Sequence, residues 1–158
     1  MSQTNAHADD DAFAEALAAA DRLNRALSPL RIDREGTQEQ LRSALRRPEQ
    51  AVRAILLETL GTAPTKALVD DLLVLALQVR HTVLIRNLLG RLPWREAKEI
   101  VPPAVRRLLD DADDSDDYRR MAELLYHLGL DEALQELCAR AEDSIDPDVR
   151  EVAADLGR

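Results

Sequence analysis

A chain of 158 residues that is 46% hydrophobic carries enough apolar material for one compact core, and 21 Lys and Arg against 30 Asp and Glu give a formal charge of −9. This composition excludes a disordered acidic tail, and a single cysteine, Cys138, excludes a disulfide scaffold. Five glycines and 3% aromatic residues leave little for a β-rich fold, whereas Leu, Ala, Arg and Glu favour helix, so the expected class is all-α.

Residues 1–8 read as a disordered N-terminus and 9–158 as a single helical domain. Residues 1–11 (MSQTNAHADDD) are acidic and polar where a secretory leader needs a basic start and an apolar run, so the expected compartment is the cytoplasm. A first helix is predicted from Asp9-Asp10-Asp11, whose charge suits a helix N-terminus, to Leu27, stopping before Ser28-Pro29. Thr37 and Gln40 then form a Thr-x-x-Gln capping box that would open a short helix over 38–46. Pro48 suits the first position of a third helix, closed by Gly61, and a fourth begins near Pro64 or Thr65. Residues 68–79 hold nine apolar positions in twelve. A membrane span needs roughly 20 residues, so this stretch reads as a buried central helix, and no membrane partner is expected.

A fifth helix is predicted from Thr82 to Pro93 and a sixth from Trp94. The Pro102-Pro103 pair removes two backbone donors and should kink the sixth helix or restart it as a new one through Leu109. Six aspartates within 110–117 read as a solvated linker. Tyr118, Met121, Leu124, Leu125 and Leu128 form an apolar stripe ended by Gly129, and Ala133, Leu134, Leu137, Cys138 and Ala141 form the next. Asp146 and Pro147 then cap and start a last helix carrying Val149, Val152, Ala153 and Leu156.

The chain also matches itself. A shift of 36 places Leu88, Leu89, Leu92, Trp94 and Val101 on Leu124, Leu125, Leu128, Leu130 and Leu137. A shift of 32 brings Leu56, Leu57 and Leu60 onto Leu88, Leu89 and Leu92, and a shift of 28 carries Met121, Leu124, Leu125 and Leu128 onto Val149, Val152, Ala153 and Leu156. The segment from Asp146 to Gly157 resembles the opening helix of a HEAT-like repeat, and Pro48 to Gly61 resembles a looser copy. The resemblance covers approximately 47–158 and implies an α-solenoid of about four short helical hairpins, with Asp146 as a cap and Arg53 and Arg150 stacking between repeats. A compact irregular helical bundle is the alternative fold.

Candidate chemistry is sparse. An EF-hand register starting at Asp111 fails at Asp116, where glycine is needed, and at Ala122, where the bidentate Glu belongs. His7, His81, His127 and Cys138 are scattered, and Glu123 with His127 on one helix reads as a solvated pair. The His-Glu dipeptides that some HEAT-like hydroxylases use for iron are absent from the sequence. Cys138 falls on an apolar stripe, and no glycine pair is close enough for a phosphate loop. No cofactor, metal or enzyme activity is therefore expected.

Charge is the uneven quantity. Residues 61–109 hold eight basic against four acidic groups, and residues 110–158 hold five against sixteen. The basic middle comprises Arg80, Arg86, Arg91, Arg95, Lys98, Arg106 and Arg107, of which Arg86, Arg91, Arg95 and Lys98, together with Trp94, are the candidate partner-binding residues. The self-match with Leu130 favours packing for Trp94 over an exposed anchor. Asp113, Asp114, Asp116 and Asp117 are the candidate acidic surface. The overall charge and the lack of interleaved aromatics argue against nucleic acid. The expected function is a protein-interaction adaptor or scaffold, with two alternatives: an immunity protein or inhibitor of a basic toxin or nuclease, and a helical-repeat enzyme.

Overall fold

The computed structural model of the chain describes residues 3–59, 65–110 and 114–157, and every regular element within them is helical. In chain order these are α1 (Gln3–Ile32), α2 (Arg34–Leu45), α3 (Pro48–Thr59), α4 (Val69–Ala76), α5 (Thr82–Leu89), α6 (Trp94–Leu109), α7 (Ser115–His127), α8 (Asp131–Glu142) and α9 (Pro147–Leu156). Short 3-10 turns at Thr65–Leu68 and Val79–His81 flank α4. The expected Gly61 stop, the Pro64 start and residue Asp113 lie outside the described residues.

Three local expectations are corrected. α1 begins before Asp9 and runs through Pro29 instead of stopping at Leu27. Proline in a helix interior costs about 3 kcal/mol in isolation. Here Leu27 is buried, the Pro29 carbonyl still accepts from the Asp33 N–H (3.1 Å), and the Thr37 hydroxyl donates to the Leu30 carbonyl (2.9 Å), which holds the last turn in place. The capping box is the second correction. The cap of α2 is Asp33, whose carboxylate accepts from the Gly36 N–H (3.0 Å), a stronger capping residue than Thr placed four positions earlier. Third, α6 does not restart at Pro102-Pro103 but continues as one helix. The carbonyls deprived of donors there belong to Lys98 and Glu99, both exposed, so solvent meets them.

The α7–α8 connection follows from one glycine. Gly129 adopts φ 65°, the Leu130 N–H reaches back to the Leu125 carbonyl (3.0 Å) and the Gly129 N–H to the Tyr126 carbonyl (3.1 Å), the paired bonds of a Schellman ending. A Cβ there would meet nothing within 4 Å, so Gly129→Ala carries only the left-handed backbone penalty. The expected cost is about 1 kcal/mol, read as a lowered urea midpoint with unchanged slope.

Helices pack mainly on those one and two places along the chain. α1 touches α2. α2 packs on α3 and α4, α4 on α5 and α6, α5 on α7, and α7 on both α8 and α9, which also pack together. α4 is shorter than the predicted central helix. Leu68, Val69, Leu72, Leu73, Leu75 and Ala76 are nonetheless buried at and beside it, because neighbours lie on several sides, while Val74 and Val79 face solvent. Met121, Leu124 and Leu125 of α7 are buried, and so are Val149, Val152 and Ala153, their counterparts at a shift of 28 in α9.

Ion pairs follow the same order. Asp71 of α4 accepts from Arg42 (3.2 Å) and Arg46 (2.9 Å) of α2, Asp70 pairs with Arg107 of α6 (2.7 Å), and Arg119 of α7 pairs with Asp155 of α9 (3.0 Å). Arg140 of α8 donates to the Asp110 carboxylate (2.9 Å) and the Leu109 carbonyl (2.8 Å), so it closes the C-terminal end of α6. Most of these pairs are exposed and contribute about 0–1 kcal/mol each. Their consequence is registration of neighbours more than bulk stability.

Candidate functional site

α6 starts immediately after Pro93, whose extended backbone (φ −53°, ψ 133°) lets the helix begin at Trp94. Ala97, Val101, Ala104 and Val105 turn inward along its buried face. Trp94 lies near that face but in the first turn, and its side chain is 58% exposed. This corrects the packing role drawn from the self-match. Leu130, its counterpart 36 residues on, is buried at 4%, so the two equivalent positions have opposite fates.

Between α6 and the start of α8 lies an open groove with about 230 Å³ of space. Trp94, Pro102, Leu130 and Ala133 give it apolar walls, and Lys98 and Arg106 face Glu132 and Glu136 across it. Lys98 Nζ sits 5.4 Å from the Trp94 ring centre and 2.9 Å from a Glu132 carboxylate oxygen, while Arg106 is 3.5 Å from Glu136. The cation over the ring favours this placement of the indole by about 0.5–1 kcal/mol at an exposed site. Chemically the groove sets aromatic and aliphatic surface between two rungs of paired charge.

The other predicted partner-binding residues scatter around this groove. Arg95 is exposed on the first turn of α6, and Arg91 is exposed in the turn before it. Arg86 of α5 is turned away from them and forms an ion pair with Glu123 of α7, with its Nε buried. The basic middle is therefore no open cationic track: Arg86, Lys98, Arg106 and Arg107 are each paired with a carboxylate from another helix. Sequence reasoning missed Pro102, Leu130, Glu132, Ala133 and Glu136. The shift of 36 held the signal, since it equates Trp94 with Leu130 and brings the starts of α6 and α8 into correspondence.

Within the predicted acidic surface, one residue caps a helix and two form an ion-pair cluster. Asp114 caps α7 by accepting from the Asp116 N–H (2.9 Å), and Arg120 pairs with Asp116 (2.8 Å) and Asp117 (3.3 Å). Ser115, Asp116 and Asp117 belong to α7, not to a linker. Burial, with Asp114 and Asp116 nearby, raises the Asp117 carboxyl above its ordinary range against the opposing pull of Arg120.

Residues with reactive side chains have settled surroundings. Cys138 is buried, and burial together with Glu142 pushes its thiol up, away from the thiolate that nucleophilic chemistry needs. His81 is 1% exposed, and neither ring nitrogen has a hydrogen-bond partner among the described residues. Those residues contain no group of three or more His, Cys, Asp or Glu placed to hold a metal ion. None of their helices is long and apolar enough to cross a membrane. Asp146 caps α9, accepting from the Asp148 N–H (2.9 Å). Arg150 donates to the carbonyls of Ser144 (2.7 Å) and Ile145 (3.0 Å), which clamps the connection that precedes its own helix, and Arg53 is exposed on α3.

Compared with protein-family models, with curated proteins and with solved structures, the chain matches none of them.

Proposed function

We propose that this chain is a non-enzymatic protein-interaction module, a HEAT-like α-solenoid of stacked hairpins that docks a partner in the Trp94 groove. Helix packing mainly between near neighbours along the chain supports the solenoid, because in a stack each unit touches chiefly the next. The exposed Trp94 at the lip of the α6–α8 groove carries the functional reading. An aromatic held in place yet left in water is the kind of side chain that dominates binding energy once a partner covers it.

The partner's surface is basic. With Arg86, Lys98, Arg106 and Arg107 each paired with a carboxylate of another helix and a surplus of acidic groups in residues 110–158, complementarity favours a partner rich in Lys and Arg around an apolar contact. Association should slow as salt rises, since attraction between exposed charges is screened beyond about 8 Å at physiological ionic strength.

Affinity capture from the source cell with immobilised wild type and Trp94→Ala tests the reading. A protein retained at low salt by wild type is expected to bind Trp94→Ala at least tenfold more weakly, a loss of about 1.4 kcal/mol or more. Arg91→Glu with Arg95→Glu, which replaces two cations near the groove by carboxylates, should raise the amount of a basic partner captured at low salt. Equal retention by wild type and Trp94→Ala removes the groove as the docking surface. The acidic surplus also favours a second reading, an inhibitor of a basic toxin or nuclease. In that case capture yields one stoichiometric partner whose activity is lost in the complex.

A further inference from the structure

We infer that α1 is a self-association element, through which two copies of this chain pair along antiparallel α1 helices. Residues 13–26 of α1 are exposed throughout, although they carry Phe13 (67% exposed), Leu17 (54%) and Leu23 (45%). These side chains are not scattered. Phe13, Ala16, Ala20, Leu23, Leu27 and Leu30 recur at alternating steps of three and four, the spacing of a coiled-coil seam. Only the C-terminal end of the seam is covered within the molecule, where Leu27 is buried and α1 meets α2.

The seam is complementary to itself in one direction. In an antiparallel pair with its two-fold axis at residue 18, Phe13 of one copy faces Leu23 of the other and Ala16 faces Ala20, each contact occurring twice as a two-fold requires. Large side chains then meet at both ends and small ones in the middle, where the backbones approach. Leu17 of each copy comes beside Leu17 of the other near the axis.

Charge selects the same direction. In sequence, Asp9, Asp10, Asp11 and Glu15 make the N-terminal half of α1 acidic, and in its C-terminal half Arg22, Arg25 and Arg31 outnumber the one acidic residue, Asp21, which faces Glu15 of the other copy. Antiparallel order brings each acidic end alongside the other copy's basic end at an axis separation of about 8–10 Å, comparable to the Debye length of about 8 Å at physiological salt. Parallel order would set like charges side by side. A seam of four facing positions per copy is well short of the ~800 Å² per partner of a standard interface, so the pair is weak and concentration-dependent.

Sedimentation equilibrium over a wide concentration series tests this, with circular dichroism to confirm that each variant is folded. Wild type is expected to move from the mass of one chain towards that of two and no further. The Phe13→Glu, Leu17→Glu double variant, altered only at exposed positions, should keep the mass of one chain at every concentration. Orientation is read by oxidation: an Ala16→Cys chain mixed with an Ala20→Cys chain should give predominantly the mixed disulfide dimer, with Cys138 buried and out of reach. Monomeric wild type throughout, association that survives the double variant, growth beyond two chains, or predominant disulfide formation by the Ala16→Cys chain with itself would each overturn the inference.

Discussion

Replacing Leu72 with alanine is expected to destabilise the folded chain by about 3 kcal/mol, within the range of roughly 2–5 kcal/mol for truncating a fully buried leucine. Leu72 is 0% exposed and lies on α4, which packs against α2, α5 and α6. With neighbours on several sides, no single helix can close the void by shifting without opening another contact. The removed methyl groups therefore leave a cavity, and the lost transfer energy adds to the lost contacts. The control is Leu17→Ala on α1: at 54% exposed that side chain has little to lose, and its urea midpoint should stay within about 0.5 kcal/mol of wild type. A Leu72→Ala midpoint equal to that of the control would place Leu72 outside the core.

The second large effect runs the other way. His81→Leu is expected to stabilise the chain by about 1 kcal/mol at neutral pH, because a buried ring with two unpartnered nitrogens is exchanged for an apolar side chain of similar size. The gain should widen on acidification. Burial first, and the Arg80 guanidinium second, lower the His81 pKa below its ordinary 6.5. Above that value the ring is neutral in folded and unfolded chains alike, and pH has no hold on stability through it. As the pH falls below 6.5 the unfolded chain takes up a proton that the folded ring refuses, so stability is lost down to the lowered folded value. Urea midpoints of wild type and His81→Leu above about pH 7 and below about pH 6 separate this term from the carboxylates that both chains share. A constant difference between them would mean that His81 is wetted or paired in solution.

These two residues also mark how far the sequence could be read. The burial of Leu72 follows from the apolar run at 68–79, and the helices that begin at Pro48, Trp94 and Pro147 start where proline and capping rules put them. Those signals are local, and local chemistry decides them. Pro29, Asp33 and Pro102-Pro103 show where local rules lose. A proline's cost is offset when a helix is held from outside, by Leu27 and Thr37 at the end of α1, or when the orphaned carbonyls face water, as on α6.

The candidate groove was legible only in outline. Periodicity gives the face of α6 that turns inward, but not whether a neighbouring element reaches far enough to cover its first turn. Trp94 and Leu130 therefore looked equivalent and are not. Charge totals were similarly blind to pairing. The eight cations of residues 61–109 suggested a basic track, yet several face carboxylates from helices about 30–37 residues away, and only three-dimensional placement reveals that. His81 went unnoticed as a buried group because a lone histidine beside Arg80 carries no pattern that distinguishes inside from outside.

Trp94 is the only tryptophan in the chain, so its fluorescence reports on the proposed docking surface without interference. If the indole stands in water at the lip of the groove, the folded protein's emission maximum and its quenching by acrylamide should lie close to those of the urea-unfolded chain. A strongly blue-shifted, quencher-protected emission that reddens on unfolding would place Trp94 in the core and contradict the proposed docking surface.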